Sequence, residues 1–232
     1  MNKTVSILLA AGKSERFENS VPKPFSFLKG KQIYRYSLDV LMNHPQIDAV
    51  YLVIPKNLLI VEKENLKSEP FPKPLHLIAG GQTRFQSVNN ALIQLDNSIK
   101  NVLIHDTARP IINTKLIDNC LQNLSKNKAI SCFIESTDTL VIKDSGGFAN
   151  SYPERKQVVR IQTPQAFDAK LLVSAYSLAL KKGKTDFTDD SSLVHYFNLA
   201  PVFLVPGNVQ NIKITYPTDI LLAELILNGF KS

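Results

Sequence analysis

Short, continuous apolar runs alternate with helical patterns along most of the chain, and this alternation restricts the fold more than any single residue does. Val5 to Leu9, Ala49 to Ile54, Leu75 to Ala79, Val102 to His105 and Ile130 to Ile134 each have the length and composition of a buried strand. Between them the spacing predicts amphipathic helices over Lys31 to Met42, Asn57 to Lys67, Thr83 to Leu95 and Thr114 to Ser125. Thr83 and Gln86 have the spacing of a capping box. Pro70 to Pro74 is a proline-rich connection. Strands that each lead into a helix suit a mainly parallel, doubly wound sheet covered on both faces, so a three-layer α/β sandwich is expected.

The rhythm breaks from Glu135 to Arg160, where β-like segments at Thr139 to Lys143 and Phe148 to Tyr152 flank the turn signal Asp144-Ser145-Gly146-Gly147. This stretch reads as a projecting hairpin. Helices over Ala169 to Lys182 and Asp189 to Phe197, a strand over Val202 to Val205 and a helix over Pro217 to Leu227 follow. The expectation is one domain, residues 1–232, with residues 135–160 as an excursion from it. A 232-residue chain that is 44% apolar can supply such a core.

The longest apolar runs are too short to span a bilayer, and the apolar stretch up to Ala11 runs into Gly12-Lys13-Ser14-Glu15-Arg16 where a signal peptide needs small residues for cleavage. Cys120 and Cys132 have no close-spaced partner, which suggests neither a zinc site nor a redox pair. A soluble protein of the reducing cytoplasm is expected. The net charge of +7 points to anionic ligands, and because the lysines are scattered with no interleaved aromatics, phosphorylated small molecules are favoured over nucleic acid.

The candidate chemistry sits where strands end. Ala10-Ala11-Gly12-Lys13-Ser14-Glu15-Arg16 follows the first strand and lacks the glycines of a Walker loop or a dinucleotide fingerprint, which disfavours a nicotinamide-dependent oxidoreductase. Its small residues would let backbone N–H groups approach a nucleotide, with Arg16 and Lys23 reaching phosphates; an ordinary turn with solvated cations fits the same residues. Gly80-Gly81-Gln82-Thr83-Arg84-Phe85-Gln86-Ser87 ends the third strand at a helix amino terminus, with Ser87 one turn inside. Paired glycines also simply permit a turn. His105-Asp106-Thr107-Ala108-Arg109-Pro110 ends the fourth strand. Asp106 could accept from a substrate hydroxyl or help place a metal ion while Arg109 meets an anion, or the two could form a structural ion pair. His105 reads as packed or capping. Gln162-Thr163-Pro164-Gln165 reads as a turn before a helix and Asn211-Ile212-Lys213-Ile214-Thr215 as an edge strand, with Lys213 a further cation for a triphosphate.

Taken in order, Ala-Ala-Gly-x-Ser-x-Arg, Pro-Lys, Gly-Gly-x-x-Arg-x-x-Ser-Val, His-Asp-x-Ala-Arg-Pro, Asp-Thr, Arg, Gln-Thr-Pro-Gln-x-Phe, Thr-Asp-Asp and Asn-Ile-Lys-Ile-Thr resemble the motif series of the 2-C-methyl-D-erythritol 4-phosphate cytidylyltransferase family over nearly the whole chain. The resemblance implies a Rossmann-like nucleotidyltransferase fold, CTP as co-substrate, Mg²⁺ as the metal and CMP transfer to a polyol phosphate in isoprenoid-precursor synthesis. It implies that Ala10, Ala11, Gly12, Gly81, Gln82 and Ser87 hold the cytidine, and that Arg16, Lys23 and Lys213 act on the triphosphate. It assigns Asp106, Arg109, Thr139, Arg155 and Thr188 to the acceptor, and it implies a homodimer that exchanges arms, bringing Thr139 and Arg155 into the partner's site. Metal ligands stay unassigned. Thr107, Gln82 and His195 depart from the family pattern, which leaves ribitol 5-phosphate open as an alternative acceptor. A non-catalytic nucleotide-binding protein is the alternative of another class, opposed by the retention of Arg16, Lys23 and Lys213.

Overall fold

The computed structural model describes residues 3–12 and 22–229. A sheet of seven strands forms the middle layer. Its members are β1 (Lys3–Leu9), β4 (Ala49–Ile54), β5 (Leu75–Ala79), β6 (Ile99–Asp106), β7 (Ala129–Glu135), β10 (Val159–Asp168) and β11 (Phe203–Pro206). Two small hairpins stand apart from it: β2 (Phe27–Leu28) with β3 (Lys31–Gln32), and β8 (Ile142–Lys143) with β9 (Ala149–Ser151). The helices are α1 (Ile33–Asn43), α2 (Leu59–Lys67), α3 (Arg84–Leu92), α4 (Thr114–Leu124), α5 (Ala169–Lys182), α6 (Asp190–Tyr196) and α7 (Thr218–Leu227).

The strand order is β11-β7-β10-β6-β1-β4-β5, with β10 antiparallel to both neighbours and the other pairs parallel. Strand alternation sends successive side chains to opposite faces. Leu8, Val50, Leu52 and Leu103 meet Leu38, Leu66 and Ile117 from α1, α2 and α4. Ile7, Tyr51, Val53 and Val102 meet Val88, Leu172 and Leu193 from α3, α5 and α6. The three-layer sandwich expected from the alternation is therefore present. Along this order the chain moves outward from β1 through β4 to β5, then returns to place β6 on the other side of β1. Such a reversal opens a crevice beyond the carboxyl ends of β1 and β6.

Three local readings change. Residues 162–165 are not a turn before a helix but the middle of β10, whose pairing with β7 is irregular between Gln162 and Gln165. The Thr163–Pro164 bond, which is cis, sits in that irregularity, so the strand accommodates a residue that cannot donate to a ladder. Residues 211–215 form no edge strand; Ile214 instead donates its N–H to the Ala108 carbonyl and drops its side chain into a cluster with Leu28, Ile33 and Ala223. The two cysteines, read as unrelated, are brought together because α4 packs on β7: Cys120 Sγ lies 3.4 Å from Cys132 Sγ, both free and buried. No helix of the described residues is long and apolar enough to cross a membrane.

Candidate active site

A cavity of about 200 Å³ opens where β1, β5 and β6 end, lined among others by Ala11, Gly12, Lys23, Gly81, Gln82, Arg84, Ser87, Asp106, Thr107 and Lys213. Its small-residue wall has a steric cause. A Cβ on Gly80 would stand 2.3 Å from the Ala11 Cβ, and one on Gly81 would stand 2.3 Å from the Gln86 Cβ. Only glycine lets the end of β5 approach the end of β1 this closely. Ser87 braces the turn, accepting from the Gly81 N–H at 3.1 Å and donating to the Thr83 carbonyl at 2.9 Å. The capping box is half formed: Thr83 accepts from the Gln86 N–H, but the Gln86 side chain accepts from the Gln82 N–H rather than from Thr83. Thr107 ties the β6 end to β1, donating its hydroxyl to the Leu9 carbonyl at 2.7 Å.

Below this rim lies a charged network. Asp106 Oδ2 accepts from Lys213 Nζ at 3.0 Å, and Asp106 Oδ1 lies 3.4 Å from Arg84 Nε. Burial pushes the Asp106 carboxyl up, but Arg84 and then Lys213 outweigh it and hold the group well below the usual carboxylate range. It therefore stays ionised. Lys23 donates to the Ile214 carbonyl at 2.6 Å, which holds it beside the segment carrying Lys213. His105 is packed, as the sequence suggested: Nε2 donates to the Arg109 carbonyl at 2.9 Å and Nδ1 accepts from the Thr163 hydroxyl at 3.1 Å. Burial lowers its pKa to about 4 against the pull of that carbonyl, so it is a neutral spacer rather than a base.

The other sequence candidates lie elsewhere. Ala10 is fully buried in the core beneath the cavity, and its N–H is bound to the Val53 carbonyl. Arg109 turns under the cavity floor, donating to the carbonyls of Asn211 at 2.8 Å and Ile161 at 3.4 Å. It thereby supports the Lys213 segment. Thr188 lines a shallow hollow with Lys184, Phe187 and Tyr196, and Arg155 lines another with Glu135, Ser136, Thr137 and Lys156. Thr139 is exposed at the base of the arm. Arg16 lies outside the described residues.

Sequence reasoning gave no role to Arg84, Tyr176, Gln165 or Asp190. Membership of the motifs was the only signal for Arg84, Gln165 and Asp190, and Tyr176 had none, since burial and mutual contact arise from the fold. Asp190 is fully buried and accepts from Arg84 Nη2 at 2.7 Å and from the Tyr176 hydroxyl at 2.5 Å.

The site can hold a polyanion, because cations converge on a cleft with small walls.

Comparison with known proteins identifies relatives of the whole chain. Residues 4–229 match the family pattern described as IspD, 2-C-methyl-D-erythritol 4-phosphate cytidylyltransferase. A protein of that name from Lachnoclostridium phytofermentans is 39% identical over 228 residues, 98% of this chain and 97% of that protein. Among solved structures, the 4-diphosphocytidyl-2C-methyl-D-erythritol synthase of Anaerococcus prevotii is similar, with a TM-score of 0.85, 32% identity and coverage of 98% of this chain and 99% of that one. The 2-C-methyl-D-erythritol 4-phosphate cytidylyltransferase of Thermus thermophilus has a TM-score of 0.76 at 28% identity, covering 97% of this chain and 98% of that one.

Proposed function

Because the chain belongs to the 2-C-methyl-D-erythritol 4-phosphate cytidylyltransferase family, and so transfers CMP from CTP to that acceptor in isoprenoid biosynthesis, we propose that the transfer takes place in the cavity at the ends of β1, β5 and β6. The observation that carries this reading is the meeting of Lys23 and Lys213 with the small walls of Ala11, Gly12 and Gly81 at a topological switch point. The pyrimidine lies against the small residues, with Gln82 and Ser87 at the rim. Lys23 and Lys213, joined by Arg16, hold the triphosphate.

The acceptor phosphate is an anionic nucleophile at neutral pH and needs no general base. One of its oxygens forms a bond to the α-phosphorus while the bond from that phosphorus to the bridging oxygen breaks in line, and pyrophosphate leaves with the electron pair. Lysine charge fixed in the cleft stabilises the negative charge that concentrates on the leaving group.

Magnesium fits as a companion of the phosphates. Among the described residues no group of three or more His, Cys, Asp and Glu side chains could hold a metal ion, and Asp106 is the single carboxylate lining the cavity. A hard cation held by one carboxylate, phosphate oxygens and water suits that donor set. When bound it would neutralise phosphate charge.

Asp106 and Thr188 serve the acceptor side, together with Thr139 and Arg155 from a second subunit, while Arg109 acts on it through the Lys213 segment that it supports. The arm supports the exchange, since Leu140, Val141, Ile142, Phe148 and Tyr152 are all exposed on a hairpin with little of its own core. The enzyme acts in the cytoplasm as a homodimer of single-domain chains. Ribitol 5-phosphate is not favoured as acceptor by the named relatives. Pyrophosphate release measured with CTP and each polyol phosphate tests this. Turnover with the methylerythritol substrate alone is expected, and turnover only with ribitol 5-phosphate would overturn the assignment.

A further inference from the structure

Four charges of alternating sign run from the core to the cavity. Asp190 is fully buried, the Asp106 and Arg84 side chains are 14% and 24% exposed, and the Lys213 side chain is 48% exposed. The inner end is anchored from several directions. Tyr176 of α5 donates its hydroxyl to Asp190 Oδ1 at 2.5 Å, and its ring stacks on Phe85 with centroids 4.5 Å apart. Gln165 of β10 accepts from the N–H groups of Asp190 and Ser191 at 3.2 and 3.1 Å. Its amide in turn donates to the hydroxyls of Ser131 and Ser191. Arg84 then spans the gap, with Nη2 on Asp190 and Nε toward Asp106.

We propose that Asp190 is a positioning residue for cytidylyl transfer, which acts through Arg84 and Asp106 to fix where the Lys213 ammonium stands in the cleft. A buried carboxylate with two strong donors cannot reorient without losing them, whereas a surface ion pair is free to move. Arg84, held at its far side by Asp190, presents Nε to Asp106 in one geometry. Asp106 therefore holds Lys213 from a fixed point rather than from a mobile side chain. Because transition-state stabilisation is sensitive to displacements near 1 Å, loss of the anchor lowers turnover more than it weakens CTP binding. The proposal rests on the reading of this cavity as the transfer site.

The test is a double-mutant cycle between Asp190→Asn and Lys213→Ala in the full-length dimeric enzyme, with kcat and KM for CTP measured and folding followed by circular dichroism. Asp190→Asn is expected to lower kcat by about a hundredfold while KM for CTP changes less than about threefold. In the Lys213→Ala background the same substitution should cost less than about threefold more, because the group it positions is already gone. Multiplicative losses would overturn the proposal and leave Asp190 a structural residue, as would a normal kcat for Asp190→Asn. Should Asp190→Asn not fold, Tyr176→Phe removes one donor and leaves the ring stack intact. Its expected loss is about tenfold, also masked by Lys213→Ala, and the same two contrary outcomes apply to it. A normal kcat for Lys213→Ala alone would bring down the reading of the cavity itself, a result distinct from failure of the positioning role.

Discussion

The cleft and the arm are built from opposite materials. In the cleft, strand ends from β1, β5 and β6 converge over a packed core, glycines permit approaches no other residue allows, and each charged group in the network has a defined partner. In the arm, β8 and β9 span two and three residues, and every residue from Thr139 to Tyr152 is exposed. A two-stranded hairpin of that size has little to hold it in water by itself. The cleft is therefore held by its own core, while the arm has little packing from its own chain. The proposed acceptor residues Thr139 and Arg155 lie on or beside the arm, whereas the described residues proposed for the nucleotide line the cleft, so under the proposed exchange the two halves of the site would be supplied by different chains.

The largest expected effects lie in the cleft. Lys23→Ala and Lys213→Ala should each reduce kcat by roughly two to three powers of ten with circular dichroism unchanged, the range for losing one preorganised charge contact. A near-normal kcat for either would show that its charge does not meet the phosphates, and the contrast between the two regions would lose its catalytic meaning.

Acid should unsettle the cleft next. The folded-state pKa of His105, about 4, lies below its ordinary value of 6.5, so the unfolded chain binds the proton more readily. Stability contributed by the neutral imidazole is complete above pH 6.5 and falls as pH drops toward 4, by about 3 kcal/mol at most. Urea unfolding across that window should show the slope in the wild type and a shallower one in His105→Gln. Equal slopes would mean that another group governs the acid limb.

The smallest effect belongs to the arm. Phe148→Asp, at a side chain 76% exposed, should change the stability of the separated chain by no more than about 0.5 kcal/mol, since nothing around it is lost. The same change should weaken self-association in sedimentation. A large loss of chain stability with unchanged association would make the arm part of the fold rather than an interface.

What the sequence revealed follows the same division. The parallel strands, the helices around them and the arm announce themselves through period, length and turn residues, and the helix α5 is legible to the residue, from Ala169 to Lys182. The strand β10 is not, because Gln162, Thr163 and Gln165 are buried polar residues around a proline, a composition that argues against a central strand. Only the fold supplies their partners, Asn208 and Asn211 for Gln162 and His105 for Thr163. Lys213 was legible as a cation but its segment was not legible as a loop, since Ile212, Ile214 and their neighbours carry β-like alternation. Asp190 and Arg84 are far apart in the chain and give no local sign of each other. Likewise Cys120 and Cys132 meet only because a helix packs on a strand.

The proposal that each cleft works with the arm of a second chain is tested most directly by mixed dimers. Lys23→Ala disables the cleft and leaves its own arm whole; Arg155→Ala does the reverse. With both proteins inactive alone, random exchange makes about half the dimers mixed, and each mixed dimer holds one intact cleft facing one intact arm. Co-refolding the two variants and assaying pyrophosphate release from CTP should therefore restore roughly a quarter of the wild-type sites. No recovery, with subunit exchange demonstrated independently, would place Arg155 in its own chain's site and contradict the account.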